Sequence, residues 1–208
     1  MGSPGGLRYG EGGPTESDLR LIGEVGGKRV LSLGCDDTSA ATDLAREGAH
    51  VLATDHRAEV LARARKAAER KELKVEWHQA EPADLAFLRA ESVDLVCSID
   101  ALGSVEDLSR VFRQVHRVLG PGGHFVFSHD HPMALCTNEG PRARSYFQYA
   151  PVEDEEDGNA RPRYVHQVGK VFTDLVRSGF RVDSIVEPQP PRGSFPQTIV
   201  WRAKKEGS

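Results

Sequence analysis

The stretch Arg29-Val-Leu-Ser-Leu-Gly-Cys-Asp-Asp-Thr-Ser-Ala-Ala-Thr-Asp-Leu-Ala45 constrains the fold more than any other part of the chain. Residues 28–33 form a short apolar run, read as a buried strand, and Gly34 opens a tight turn. Residues 39–46 then read as a helix that stops at Gly48, and a second apolar run, 49–54, ends in Asp55. Strand, glycine turn, helix, strand and acidic tip make the first half of a nucleotide-binding α/β unit. The turn is poor in glycine, however. Asp36 and Thr38 stand where such loops usually carry more of it.

The rest of the chain continues the alternation. Residues 1–14 are glycine-rich and predict a flexible or draped arm, with Leu7-Arg-Tyr9 as its only apolar part. Thr15-Glu-Ser-Asp18 has capping-box spacing and opens a short helix. Residues 58–70 predict a helix, 73–77 a third strand, and 79–85 a turn into another short helix. Residues 93–99 read as a central parallel strand. A second capping box at Ser104-Val-Glu-Asp107 precedes a helix whose apolar face is Val105, Leu108, Val111, Phe112, Val115 and Leu119, stopped by Gly120-Pro-Gly-Gly123. A fifth strand follows at 124–128, and then 129–163, a long segment without a clear period that reads as a lid or acceptor-side insert. A helix over 167–178, with Val168, Val171, Phe172, Leu175 and Val176 on one stripe, leads to two final strands at 180–187 and 198–203.

These elements predict a doubly wound α/β fold: a mostly parallel seven-stranded sheet with a C-terminal antiparallel pair, in one domain over 15–205. The ligand crevice of such a sheet lies at the strands' carboxyl ends, where Gly34, Asp55, Glu81, Ser98 and residues 128–131 would meet.

Composition narrows the partners. The net charge is −4, and one run, Glu153-Asp-Glu-Glu-Asp157, outweighs it, leaving the remainder near +1. No basic stripe with interleaved aromatics is present, which argues against a nucleic-acid surface. No apolar run approaches the ~20 residues of a spanning helix, and no secretory signal is seen, so neither a membrane nor export is expected. Three scattered cysteines fit a reducing compartment, the cytoplasm by default, and give no zinc spacing.

Taken together, Val30-Leu-Ser-Leu-Gly-Cys35, Val51-Leu-Ala-Thr-Asp55, Gln79-Ala-Glu81, Val93-Asp-Leu-Val-Cys-Ser98 and His116-Arg-Val-Leu-Gly-Pro-Gly-Gly-His-Phe-Val-Phe-Ser128, followed by His131-Pro132, resemble the class I S-adenosylmethionine-dependent methyltransferases. More narrowly, they resemble the small-molecule branch that includes the quinone-biosynthesis enzymes (methyltransferase type 11). The resemblance runs in order from about Tyr9 to Lys204. It implies a Rossmann-like methyltransferase fold and S-adenosylmethionine as cofactor, with Gly34, Cys35 and Asp36 at its methionine end. Asp55 would accept hydrogen bonds from the ribose hydroxyls, with the adjacent His56 also in the cofactor site. Glu81 would bind the adenine amino group, with Pro82 and Ala83 lining the ring, and Ser98 to Leu102 would form the floor beneath the methionine tail. Ser32 stands where the family usually has an acid, and Asp36 and Thr38 replace family glycines. Asp36 would either repel the cofactor's carboxylate, by about 4 kcal/mol at ~4 Å and an effective dielectric of ~20 before screening, or take over the missing acid's role toward the ammonium.

Methyl transfer asks the protein mainly to align donor and acceptor. Where a proton must leave, the candidate bases are His129, Asp130 and His131 after the fifth strand, with His166 and Tyr146 from the insert and its far edge, and histidine suits the task because it titrates near neutrality. For each histidine the alternative is a capping or core role. Tyr146, Phe147, Tyr149 and Tyr164 would either wall a planar acceptor pocket or pack the insert onto the sheet. The expected activity is methyl transfer to a small-molecule acceptor by a monomer or homodimer without a metal. Two other readings compete: a degenerate domain that binds cofactor weakly or serves a protein partner, and, less favoured, an NAD(P)-dependent oxidoreductase. Against the last, G-x-G-x-x-G spacing is absent after Gly34.

Overall fold

The computed structural model describes residues 6–10, 12–35, 40–137, 145–148, 150–151, 162–190 and 193–207. Its elements, in chain order, are α1 (Glu16–Leu19), β1 (Arg29–Leu33), α2 (Ala40–Arg46), β2 (His50–Asp55), α3 (Ala58–Glu69), β3 (Val75–Gln79) and β4 (Val93–Ile99). A 3-10 turn (Ala101–Ser104), α4 (Leu108–Val118), β5 (Leu119–Asp130), α5 (Pro132–Thr137), α6 (Val168–Arg177), β6 (Phe180–Val186) and β7 (Thr198–Lys205) follow. The seven strands form one sheet in the order β3-β2-β1-β4-β5-β7-β6. Strands β1 to β5 run parallel, and β7 lies antiparallel between β5 and β6.

Central strands are apolar on both sides because both faces of the sheet are covered. Along β5 the pleat sends Val126 to one face and Phe125 and Phe127 to the other. Val126 joins Val30, Val51, Val60 and Leu95 under α2 and α3. The two phenylalanines join Leu31, Leu33, Phe112, Leu175 and Trp201 under α4 and α6.

Several local expectations change. The third strand lies at Val75–Gln79 and not at 73–77, and β5 runs over Leu119–Asp130, taking in Gly120-Pro-Gly-Gly123 and the first two residues of the expected insert. The helix expected from Ser104 begins at Leu108, because Ser104 closes the 3-10 turn and the Asp107 carboxylate caps α4, accepting the Arg110 N–H at 3.3 Å. The short helix expected near 79–85 does not form. That segment is instead a run of turns held by Arg117, whose guanidinium donates to the carbonyls of Leu85 (2.7 Å) and Leu88 (2.8 Å). On α6 only Val171 and Leu175 are buried, while Phe172 and Val176, one step round the helix, are 44% and 49% exposed. The sheet covers a narrower stripe than the five apolar residues span.

The described part of the N-terminal arm is draped over the core. Leu7 and Tyr9 are buried, the Tyr9 hydroxyl donates to Glu16, and the Tyr9 N–H donates to the Pro14 carbonyl at 2.9 Å. Glu16 also accepts the N–H groups of Ile22 (2.8 Å) and Gly23 (2.9 Å), so one carboxylate ties the arm to the segment after α1. Of the insert at 129–163, α5 and a few residues near each end are described; the acidic run lies outside the described residues.

Candidate functional site

The carboxyl ends of β1, β2, β4 and β5 define the crevice. Gly34 leaves β1 with φ +86 and donates its N–H to Thr54 at 2.7 Å. A Cβ here would lie 2.2 Å from the Ala101 Cβ. Glycine is therefore required twice over, once for the left-handed backbone and once for the close approach of the 3-10 turn. Next, the Cys35 N–H donates to the Asp55 carboxylate at 2.9 Å. Burial and then the Asp55 charge push the Cys35 thiol up to about 12, which makes it a packing group and not a nucleophile. Asp36 and Thr38 lie outside the described residues. Ser32 is buried within β1, in register with Ala53 and Cys97.

Asp55 ends β2 almost fully buried. Burial by itself disfavours its charge. Hydrogen bonds from the Arg57 side chain and backbone and from Cys35 outweigh that and hold the carboxyl below its ordinary value. His56 stands at the rim, with Nδ1 3.7 Å from the Asp55 Oδ1 and 4.0 Å from the Glu81 Oε2. Glu81 is exposed and Pro82 is half-buried beside it. The strands thus bring Gly34, Cys35, Asp55, His56 and Glu81 to one edge. Ser98 is buried there, its hydroxyl donating to the Leu33 carbonyl at 2.9 Å, and Leu102, within the 3-10 turn, is sealed in the core.

The three histidines are all held by the fold. His129 donates from Nδ1 to the Asp130 carbonyl (2.8 Å) and accepts the Trp201 indole N–H at Nε2 (3.1 Å). Burial, and then the neighbouring His166, push it down to about 3. His131 accepts the Met133 N–H at Nδ1 (3.1 Å), capping α5, and donates from Nε2 to Glu187 (2.9 Å). His166 is buried against the Leu102 carbonyl at 3.3 Å and pushed down to about 4, chiefly by burial. The Tyr146 hydroxyl accepts the Val168 N–H at 3.1 Å and so caps α6, whereas Phe147 is 72% exposed. Tyr149 lies outside the described residues.

Asp100, within the 98–102 floor, and two residues not singled out from the sequence, Arg163 and Arg57, complete the edge. Asp100 sits at the tip of β4 with φ +56, a left-handed conformation uncommon for any residue but glycine, and its carboxylate accepts the Ser128 hydroxyl at 3.3 Å. Arg163, at the end of the insert, pairs with Asp130 at 2.7 Å and donates to the Asp100 carbonyl at 3.3 Å. Arg57 pairs with Asp55 at 3.0 Å. A signal for Arg57 was available: it occupies the N-cap of α3, where a short polar residue is favoured. Nothing in the sequence marks Asp100 and Arg163 as neighbours, since 63 positions separate the bonded pair. Among the described residues no His, Cys, Asp and Glu group could hold a metal ion, and no helix is long and apolar enough to cross a membrane.

The glycine cradle and the buried carboxylate twenty-one residues beyond it fit an adenosine-containing cofactor lying across the tips of β1 and β2. Comparison with known proteins agrees. Residues 31–127 match the family described as "Methyltransferase domain". The ubiquinone biosynthesis O-methyltransferase of Sodalis glossinidius is 35% identical over 171 residues, covering 82% of this chain and 65% of that protein. Its counterpart in Pseudomonas syringae pv. tomato is 32% identical over 146 residues, covering 70% and 59%. The chain therefore spans roughly three fifths of the length of these relatives. Among solved structures, an S-adenosylmethionine-dependent methyltransferase from Mesorhizobium loti superposes with a TM-score of 0.73 at 29% identity, over 90% of this chain and 95% of its own. Strand order, the Gly34 cradle, the Asp55 tip and these similarities converge on one fold, that of the class I S-adenosylmethionine-dependent methyltransferases, with residues 31–127 matching the methyltransferase domain family.

Proposed function

We propose that this chain is an enzyme that transfers a methyl group from S-adenosylmethionine to a small-molecule acceptor. The observation that carries the proposal is the juxtaposition of Gly34 and Asp55. Gly34 provides a backbone approach that no side chain blocks, and Asp55 is a carboxylate kept ionised in a buried position. When bound, the cofactor supplies an activated methyl on a sulfonium. The chain's own task is to bind, orient and exclude water. Gly34 and Cys35 line the methionine end, Asp55 accepts from the ribose hydroxyls, and His56, Glu81 and Pro82 border the adenine. Ser98 and Leu102 act from below, by holding the strand tips and the 3-10 turn that form the floor.

The acceptor would lie over the tips of β4, β5 and β7, under the segment that contains α5. With His129 and His166 pushed to about 3 and about 4 and His131 engaged at both ring nitrogens, these histidines position β5, α5 and the 3-10 turn. Alignment, and not proton removal by a dedicated histidine, is the larger contribution. The similarity to ubiquinone biosynthesis O-methyltransferases supports a small acceptor that carries a hydroxyl group.

Calorimetric titration of the purified protein with S-adenosylmethionine, S-adenosylhomocysteine and NAD tests the proposal. Micromolar binding of the first two and no heat with NAD are expected. A folded protein that binds none of them would overturn it.

A further inference from the structure

The Asp55 carboxylate has about four acceptor positions, two on each oxygen. Oδ2 takes the Cys35 N–H at 2.9 Å and the Arg57 Nη2 at 3.0 Å. Oδ1 takes the Arg57 backbone N–H at 3.0 Å and the Arg57 Nε at 3.0 Å. Two positions thus go to backbone groups that shape the β1 turn and the start of α3, and a guanidinium fork fills the other two. A ribose diol placed against Asp55 needs the same two positions that the fork occupies. Both cannot be seated together.

The local chemistry points the same way. Arg57 is the N-cap residue of α3, with extended backbone and no side-chain cap. Serine, threonine, aspartate or asparagine would satisfy a free N–H of the helix at that position, and arginine cannot. Its side chain is instead folded back onto Asp55, 20% exposed against 3% for the carboxylate. A helix start that forgoes its cap beside a ligand-binding carboxylate is a place where a local preference yields to the site.

We infer that Arg57 is a built-in competitor for the cofactor: its guanidinium holds Asp55 in the free protein and must be displaced by the ribose when the cofactor binds. The inference rests on the proposed role of Asp55 as the ribose acceptor. Its consequence is that the free site keeps an ionised, pre-oriented carboxylate without exposing it, and that cofactor affinity is lower than the cradle alone would permit. Release of the fork also leaves a guanidinium at a rim that carries a second carboxylate, Glu81, within 4.0 Å of His56.

The test is calorimetric titration with S-adenosylhomocysteine of the wild type, Arg57→Met, Arg57→Ser, Asp55→Asn and the double variant Asp55→Asn/Arg57→Ser. Thermal melting of each protein checks that it is folded. Arg57→Met keeps part of the aliphatic stem, and Arg57→Ser supplies a capping hydroxyl, so loss of fold in one leaves the other to decide. Both arginine variants should bind about tenfold more tightly, as expected for removing one charge-assisted, partly buried pair from the free state. That gain should vanish in the Asp55→Asn background, because the competition acts only through the carboxylate. A structural role for Arg57 predicts the opposite sign. Affinity unchanged or weakened in folded Arg57 variants overturns the inference while Asp55→Asn still reports on the ribose contact. Undiminished binding by Asp55→Asn overturns that contact, and the inference with it.

Discussion

Several polar side chains at the crevice do structural work before any ligand arrives. The Asp55 carboxylate ties the β1 turn to the start of α3, and Ser98 ties β4 to β1. His129 ties β5 to Trp201 of β7, His131 caps α5 and reaches Glu187 beyond β6, and His166 ties the segment before α6 to the 3-10 turn. For the buried histidines this sets the response to acid. His129 and His166 are held at about 3 and about 4 in the fold, against ~6.5 in an unfolded chain. The unfolded state therefore binds more protons throughout that interval, and stability present above pH ~6.5 is lost as the pH falls toward the folded values. His116 and His124, also lowered by burial, act in the same direction. Urea denaturation should show the unfolding free energy falling by on the order of 4 kcal/mol between pH 7 and pH 5, about 2 kcal/mol from each of the two rings. His166→Asn should flatten that slope. A stability independent of pH over this range would mean that the rings are more hydrated than their burial implies.

At the scale of elements, the N-terminal arm reads from the sequence as either flexible or draped, with Leu7-Arg-Tyr9 as its apolar part. Leu7 and Tyr9 are as buried as the sheet's own residues, so the described part is draped. The reason is local: Glu16 collects the Tyr9 hydroxyl and backbone N–H groups of the segment after α1, turning a glycine-rich stretch into a fastened one. Tyr9→Phe should therefore cost on the order of 1 kcal/mol, since Glu16 keeps its other donors. Tyr9→Ala should cost ~3–5 kcal/mol through the cavity it leaves. Chemical denaturation of the two variants measures both. Equal, near-zero effects would show that the arm is not part of the cooperative fold. The α4 start teaches a related lesson. Ser104 and Asp107 share one capping-box pattern, but the 3-10 turn consumes Ser104, and the cap passes to Asp107.

For the whole molecule, stability is concentrated where β7 joins the parallel strands to the edge strand β6. Trp201 is fully buried there, its ring 6.0 Å from that of Phe127 and its indole N–H on His129. Trp201→Ala should cost about 3–5 kcal/mol, a large part of the ~5–15 kcal/mol available to a domain. The Arg29–Asp94 pair is shorter, at 2.6 Å, yet both side chains are well exposed, at 53% and 39%. Asp94→Asn should therefore cost less than about 1 kcal/mol. Thermal melts of the two variants should differ by many degrees, and comparable shifts would contradict the placement of the core.

What the sequence determined by itself is the order of strands and helices, the glycine at the turn and the acid at the second strand's tip. These rest on short-range physics: the period of apolar residues, the permissiveness of Gly34 and the placement of polar groups at strand ends. Only the tertiary structure decided what those polar groups touch. That Asp55 is filled by Arg57, that the histidines cap and brace, and that Arg163 reaches Asp130 and Asp100 all depend on distances between elements. Such contacts follow from packing across the sheet, which leaves no period in the sequence to read.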